Sequence, residues 1–276
     1  MKKLLMVTFS AGLLLSACSF GSDASNKKEV KFGDLMNNGK KVSFILKNKD
    51  EESTPDKDNP IVAYIFTNDG KSTTYDAHSG KYDLGDMKDK SQDEILKIAK
   101  KEDKESIKKQ RKEYLGDARN DKDVQKTNYE ESIKLRGKDS SMTKQEKRML
   151  ESDEKIYDDL KNLKYTEPKE RKLKIGVVED GTGNDTEKER FYAFPRYIDA
   201  DSYEFVKDAK EINKVMMYEM DGTHKNITVY DDKYAYLSSS DTGNDRYYLA
   251  TKVGKKSEKS ALDKPDSKNV KVEKED

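Results

Sequence analysis

The chain contains only two histidines, His78 and His224, and these are the first residues to consider for catalysis. Each lies beside a predicted turn and near an aspartate, Asp76 in one case and Asp221 in the other. A histidine with a carboxylate partner can act as a general base, but acyl transfer also needs an activated serine or threonine. No G-x-S-x-G motif supplies one. The sequence therefore predicts two exposed turn histidines, with a hydrolase site at either as the alternative.

Two acidic turns share the residues Thr-Gly-Asn-Asp, at 182–185 and 242–245. Their side chains offer oxygen ligands of the kind that calcium accepts. Neither turn has the spacing of an EF-hand loop or its closing glutamate. Because loop polarity alone accounts for both turns, we predict no metal site and no cofactor.

Tyrosine is abundant in the C-terminal third of the chain. Alternating tyrosines on one face of a sheet can form a binding platform, since the ring stacks while the hydroxyl stays hydrated. More often, tyrosines simply cover the half-exposed face of a small sheet. The candidate binding face consists of Tyr218, Tyr230, Tyr234, Tyr236, Tyr247 and Tyr248.

The N-terminus has the order of a secretory signal peptide. Lys2 and Lys3 precede an apolar run that ends at Leu15-Ser16-Ala17-Cys18. As a helix, residues 4–17 would span about 21 Å, against about 30 Å for the hydrocarbon core of a membrane. This run is therefore too short to span the membrane comfortably, and no other apolar stretch approaches its length.

The Leu15-Ser16-Ala17-Cys18 ending resembles the lipobox of bacterial lipoproteins. In that family a lipid is attached to the cysteine sulfur, and cleavage leaves that cysteine as the first residue. By this resemblance, cleavage between Ala17 and Cys18 would make Cys18 the first residue here. Cys18 is also the only cysteine in the chain, so it has no internal disulfide partner. The resemblance implies a protein anchored by lipid to the extracytoplasmic face of the cell membrane. The prevalence of lysine, asparagine, aspartate and tyrosine is common in low-GC Gram-positive bacteria, which is the source we expect. A plain signal peptide or an uncleaved signal anchor is the alternative.

Composition restricts the fold and the partners. Charged residues make up 40% of the chain and the mean hydropathy is −1.09, so the apolar core must be small for the length. Basic and acidic residues number 55 each. This balance argues against nucleic acid as a partner, which requires a clustered basic face. The 16 tyrosines and 8 phenylalanines indicate that part of the chain folds.

We predict an α+β fold, built from antiparallel β-sheet or meander elements with a charged helical insertion and a disordered C-terminal tail. Residues 61–66 and 72–75 form a hairpin around Asn68-Asp69-Gly70. Short polar turns between the later strands favour antiparallel pairing. The other predicted strands are 40–48, 173–178, 189–194, 215–220, 226–230, 234–237 and 247–253.

Two capping-box patterns, Ser91 with Glu94 and Thr143 with Glu146, predict two helix starts. The second helix has a one-sided apolar stripe and is expected to end at Pro168. Residues 116–141 between the helices fit no single element. We expect a helical hairpin laid on the sheet or on itself.

The predicted organisation has six parts. The parts are a signal peptide (1–17), a lipidated flexible tether (18–30), an N-terminal β-rich part (31–90), a helical insertion (91–168), a C-terminal antiparallel β part (169–253) and a disordered charged tail (254–276).

Residues 63–76 are weakly similar in sequence to residues 217–231. Either the two segments are hairpins that share turn residues, or they are two related sheet elements.

These observations favour a non-enzymatic binding module at the cell surface. Its partners would be the membrane, through the lipid on Cys18, and a protein or another envelope component. A cell-envelope hydrolase and a transporter-associated solute-binding lipoprotein are the alternatives. The second has less support, because such proteins usually have two α/β lobes with long apolar strands.

Overall fold

The computed structural model describes residues 23–49, 53–77, 80–206 and 216–274. These residues adopt an α+β fold, which confirms the predicted class. Three α-helices span Phe32–Asn37 (α1), Gln92–Arg136 (α2) and Ser141–Asn162 (α3). The strands are β1 (Glu29–Lys31), β2 (Lys40–Lys47), β3 (Ile61–Asn68), β4 (Lys71–Asp76), β5 (Arg171–Lys172), β6 (Ile175–Glu179), β7 (Thr186–Ala193), β8 (Tyr197–Ile198), β9 (Phe205–Val206), β10 (Met216–Met220), β11 (His224–Lys225), β12 (Ile227–Val229), β13 (Asp232–Ser238), β14 (Tyr247–Val253), β15 (Lys259–Ala261) and β16 (Lys271–Glu273).

Seven strands form one antiparallel main sheet in the order β12-β13-β14-β2-β3-β4-β5. Strand β14 pairs with β2, and Leu249 lies opposite Ile45. Strands from both sides of the helical insertion are therefore neighbours in a single sheet. The smaller sheets have the orders β10-β7-β6-β16, β1-β15-β11 and β8-β9.

The central strands of the main sheet are buried on both faces. Along β2, Phe44 and Leu46 point into a core that includes Ile95 of α2, whereas Ile45 points into a second core. That second core contains Phe32 of α1 and residues of β6, β7 and β10. Each fully buried side chain of this size contributes roughly 1.5–3 kcal/mol. The main sheet is thus a middle layer between α2 and the α1–β7 side.

Both ends of the described chain belong to the sheets. Strand β1 pairs in parallel with β15, and β16 pairs in parallel with β6. Ala24 and Val30 are buried. The predicted flexible tether is therefore wrong for residues 23–30, and the predicted disordered tail is wrong for residues 254–274. The composition of these segments did not predict this structure, because they carry few apolar side chains and are held by backbone pairing with distant strands.

A buried carboxyl, Asp263, joins these terminal segments to the fold. Its Oδ2 accepts a hydrogen bond from the Gly33 amide at 2.6 Å, and its own amide donates to Glu189 Oε2 at 2.9 Å. Both carboxyls are almost fully buried. Burial raises the pKa of Glu189 and of Asp263, and the nearby Asp263 charge raises that of Glu189 further. The C-terminal segment is thereby fixed to α1 and to β7.

The helical insertion forms a hairpin of α2 against α3. The Ser91–Glu94 capping box is confirmed, since Ser91 accepts from the Glu94 amide and Glu94 accepts from the Ser91 amide. Residues 116–136, which fitted no element in the sequence, continue α2 without a break. The second helix begins at Ser141, after the N-cap Ser140, and not at the predicted box. No helix in the described ranges is long and apolar enough to cross a membrane.

The hairpin of β3 and β4 is confirmed, with Asp69 and Gly70 at φ of 46° and 78°, as a primed turn requires. Residues 215–220 and 226–230, which their similarity to the first hairpin and the short polar turn between them would pair, do not pair with each other, because β10 pairs with β7 and β12 pairs with β13. Segment 217–231 is therefore not a second copy of the 63–76 hairpin. The two Thr-Gly-Asn-Asp turns each close an antiparallel pair, β6–β7 and β13–β14.

Replacing two helical glycines by alanine should change stability in opposite directions. A Cβ at Gly33 would lie 2.8 Å from Asp263 Oδ2, so Gly33→Ala should lower the free energy of unfolding by roughly 1–3 kcal/mol. At Gly116 nothing lies within 4 Å, so Gly116→Ala should raise it by about 1 kcal/mol through helix propensity. Urea unfolding of both variants measures this. Equal effects would contradict the described packing around Asp263.

Candidate functional site

The structure places His224 in strand β11, half-buried, and not at an exposed turn as predicted. Its ring stacks on Tyr236 with 4.7 Å between ring centroids. Its Nε2 lies 3.0 Å from Ser238 Oγ, and that hydroxyl lies 3.4 Å from Asp221 Oδ1. Burial lowers the pKa of the His224 ring. The second histidine, His78, lies outside the described residues.

This cluster contains a histidine, a serine and an aspartate, but their order is not that of a catalytic triad. In a triad the carboxylate orients the histidine, whereas here the Asp221 carboxylate accepts from Ser238. Ser238 is only 6% exposed, so its hydroxyl is poorly placed to attack a substrate. The arrangement ties β11 to β13.

The acidic turn before β7 uses its carboxylate internally. Asp180 Oδ1 accepts from the Thr182 amide at 3.1 Å and from the Thr182 hydroxyl at 2.8 Å. Both hydrogen bonds lower the pKa of Asp180, and the one from the Thr182 hydroxyl has the larger effect. Among the residues that the structure describes, no group of three or more His, Cys, Asp or Glu side chains is placed to hold a metal ion.

The six tyrosines of the predicted binding face do not share one exposed surface. Tyr234, Tyr236 and Tyr248 are buried in the core beneath α2. Tyr218 and Tyr247 pack edge to face at 5.9 Å on the other side of the main sheet. Tyr230 alone is largely exposed. The predicted face is wrong because both sides of the sheet are covered, which strand alternation alone does not reveal.

Tyr218 and Tyr247 do border a pocket of about 400 Å³, beside the edge strand β10. Its other walls come from Met216, Met217 and residues 239–241. Side chains of both polar and apolar character line it, and they include Glu219, whose carboxylate is paired with Lys188 and Arg190. It is a shallow surface feature next to residues that lie outside the described ranges.

Sequence reasoning missed the buried acids on the proximal part of α2. Glu102 Oε2 accepts from the Tyr64 hydroxyl at 2.6 Å. Asp103 accepts from the Asp76 amide at 2.9 Å and from the Tyr165 hydroxyl at 2.6 Å. Burial raises the pKa of Asp103 to about 6. These contacts attach α2 to β3 and β4.

The signal for this polar contact was present in the sequence. Asp103, Ser106 and Gln110 recur at helical spacing within a run that otherwise reads as a solvated charged face. Ser106 and Gln110 both donate to the Asp76 carboxylate. Only the position of β4 shows that this face is buried, so a helical pattern of hydroxyl, amide and carboxyl groups was not enough to predict it.

The distal part of the helical hairpin is the strongest candidate for an interaction surface. Ala118 is the last residue of α2 that packs in a hydrophobic cluster, and α2 continues about 27 Å beyond it to Arg136. We call residues 119–156 the distal hairpin. Seven large apolar side chains are exposed in the described residues, and four of them are here. The four are Val124, Leu135, Met142 and Met149.

The two fully buried residues of the distal hairpin are polar. Ser132 and Thr143, the buried residues of this part, hydrogen-bond to each other at 3.0 Å. The Lys122 ammonium lies 4.3 Å from the centre of the Tyr157 ring. The buried side-chain oxygen of Gln125 has no hydrogen-bond partner. Helix pairs normally put most of their apolar residues inside. Here half-buried Tyr129, Ile133 and Leu150 are accompanied by these polar groups, while four large apolar side chains remain exposed.

The exposed apolar residues are spaced so that they align on each helix. Val124 and Leu135 are eleven residues apart, or about three turns, and therefore share one face of α2. Met142 and Met149 are two turns apart on α3. Leu135 is 75% exposed, the most of the four. A partner that covered these side chains would gain roughly 1.5–3 kcal/mol for each one fully buried.

The raised pKa of Asp103 predicts a pH-dependent stability. Because the folded pKa is about 6, above the ordinary value of 3.8, this group stabilises the fold below pH 4. That contribution, on the order of 3 kcal/mol, is lost as the pH rises through 6. Asp103→Asn keeps a side chain that can hydrogen-bond to the Asp76 amide and the Tyr165 hydroxyl but that cannot ionise. This variant should therefore flatten the pH dependence of the free energy of unfolding in this range.

Urea unfolding between pH 4 and pH 7 measures this profile. The control is Glu130→Gln, which removes an exposed carboxyl from the same helix. The control should follow the native chain, and a native-like pH slope in Asp103→Asn would contradict the buried position of this acid.

Comparison with known proteins adds no relative to this geometry. No family model matches the chain, no curated protein matches it, and no solved structure matches it. Only the chain's own residues, above all those of the distal hairpin, therefore indicate its function.

Proposed function

We propose that the protein is a membrane-anchored extracytoplasmic lipoprotein that acts as a non-enzymatic binding module. Its binding element is the distal hairpin, and its partner is a protein of the cell envelope. One observation carries this proposal: of the seven large apolar side chains exposed in the described residues, four lie on a helical hairpin whose two buried residues, Ser132 and Thr143, are polar. Such a surface is more stable when a second protein covers it.

The proposed anchor, Cys18, lies outside the described residues, as does the preceding Ala17. Its support is the Leu15-Ser16-Ala17-Cys18 sequence and the absence of a second cysteine. Asp23 begins the described chain, five residues after Cys18, which covalent geometry limits to about 18 Å. An acyl chain on Cys18 would therefore hold the folded body close to the membrane surface.

The shape and charge of the distal hairpin favour a protein partner. Lysine and arginine number ten in residues 119–156, and aspartate and glutamate number nine, so no single sign of charge dominates. Exposed apolar side chains within a charged surround are typical of protein interfaces. Helix α2, about 68 Å long with 45 residues, carries this surface well away from the main sheet.

The alternatives have less support. A hydrolase at His224 would have to use Ser238, which is nearly buried and whose neighbouring Asp221 carboxylate does not orient the histidine. A solute-binding lipoprotein usually binds between two lobes, whereas the strands of both halves of this chain join in one sheet.

Metabolic labelling with a radioactive fatty acid tests the anchor. The native chain should take up label at Cys18, and Cys18→Ser should lose it, because no other cysteine can accept an acyl chain. The hairpin variant described next serves as a control and should keep full labelling. Unchanged labelling of Cys18→Ser would refute the anchor.

Crosslinking in intact cells followed by pull-down tests the binding element. Leu135→Ser combined with Met142→Ser should lower the yield of the crosslinked partner at least tenfold, because two apolar contacts of roughly 1.5–3 kcal/mol each are lost. Both side chains are exposed, so the free energy of unfolding should change by less than about 1 kcal/mol.

The matched control combines Met217→Ser with Val272→Ser, which removes two exposed apolar side chains away from the hairpin. It should capture the partner as well as the native chain does. Equal capture by the hairpin variant and the native chain would show that the distal hairpin is not the binding element.

A further inference from the structure

The segment where the described chain begins lies against a turn from its C-terminal part. Residues 23–26 form a short 3₁₀ helix, and the Gly254 amide donates to the Ser25 carbonyl at 2.9 Å. The Glu258 amide donates to the Lys28 carbonyl at 2.7 Å. These bonds bring together two Lys-Lys pairs that are more than 200 residues apart in the sequence, at 27–28 and 255–256.

The charge on this surface is not balanced. Lys255 and Lys256 are exposed and make no ion pair within the residues that the structure describes. The Lys233 ammonium donates to the carbonyls of Lys255 and Ser257, at 3.0 and 2.8 Å, which adds a charge without a carboxylate. We call this surface the N-terminal basic patch, and its members are Lys27, Lys28, Lys233, Lys255 and Lys256.

Neighbouring acids neutralise only part of this charge. Asp34 lies 2.7 Å from the Lys27 ammonium, and Glu258 lies 3.5 Å from that of Lys28. Both pairs are exposed, and exposed pairs of this kind contribute little. Asp23 is close to these lysines in the sequence. When it is counted together with Asp34 and Glu258, the patch has five positive charges and three negative ones.

We propose that the N-terminal basic patch binds the anionic headgroups of the membrane that carries the protein. This inference rests on the proposed anchor, since Cys18 lies at most about 18 Å along the chain from Asp23. An anchor of that length lets the patch reach the headgroup layer, where each lysine near the surface is attracted to anionic lipid. The patch is an exposed surface and not a pocket, so it fits a layer of headgroups better than a single bound anion.

The patch would complement the lipid on Cys18. Two acyl chains on the anchor would hold the protein firmly by themselves, so the patch is not needed for attachment. A patch next to the attachment point restricts how the body rotates on its anchor. The membrane would then face the β1–β15 end of the fold, which fixes the direction in which the binding surface is presented.

Sedimentation with vesicles tests this patch without the lipid. The probe is the chain from residue 18 onward with Cys18→Ser, because every described element lies within residues 23–274. It should sediment with an equal mixture of phosphatidylglycerol and phosphatidylcholine, and not with phosphatidylcholine alone. Added salt should weaken the binding, because screening reduces the attraction between lysines and headgroups.

Lys255→Gln combined with Lys256→Gln should lower the association constant about 30-fold, since each lysine near an anionic surface contributes about 1 kcal/mol. The control is Lys138→Gln with Lys144→Gln, which removes two exposed lysines from the distal hairpin and makes the same change in net charge. The control should stay within about twofold of the native patch, because its lysines lie away from the membrane-facing surface.

Absent binding, equal binding to both kinds of vesicle, or equal losses in the two lysine variants would overturn the inference. The result is separate from the test of the anchor, because the probe carries no lipid. Failed fatty-acid labelling refutes the anchor, whereas successful labelling with no vesicle binding refutes the patch alone.

Discussion

The pairing of β14 with β2 is the contact on which the rest of the structure depends. It joins strands from the two halves of the chain, so that β2, β3 and β14 lie inside one sheet and are buried on both faces. One face then packs against α2, and the other packs against α1 and the β6–β7 sheet. Without this pairing, β2 and β14 would each be an edge strand with unpaired backbone groups, and the two cores, which contain residues of both strands, would be divided.

The same sheet divides α2 into two parts with different roles. Its first turns lie on the sheet. There Glu102 accepts a hydrogen bond from Tyr64 of β3, and Asp103 accepts one from Tyr165, just after the helical hairpin. Because both carboxyls have these partners, their burial costs less free energy than that of an unpartnered acid. Beyond Ala118 the helix has only α3 as a neighbour of any extent, and Leu135 stays exposed. One continuous helix thus carries buried polar contacts near its start and exposed apolar side chains near its end.

Much of the fold could be predicted where the relevant interactions are local. The β3–β4 hairpin follows from the Asn68-Asp69-Gly70 turn, and the start of α2 follows from Ser91 and Glu94, since neighbouring residues make those hydrogen bonds. The start of α3 was misplaced because Thr143 does satisfy a capping pattern, yet Ser140 caps the helix and Thr143 bonds to Ser132 across the hairpin. A contact between the two helices therefore decided which of the two capping patterns begins α3.

The sequence by itself determined the class of fold, the main helices and strands, and the lipobox-like segment that ends at Cys18, because each depends on residues close together in the chain. Only the tertiary structure decided that the tyrosines are mostly buried, that residues 254–274 are ordered, and that the exposed apolar side chains collect on the distal hairpin. Burial is set by what packs on each face, and the residues that pack there come from distant parts of the chain. A pattern of residue types shows which faces exist, and the fold decides which of them remain uncovered.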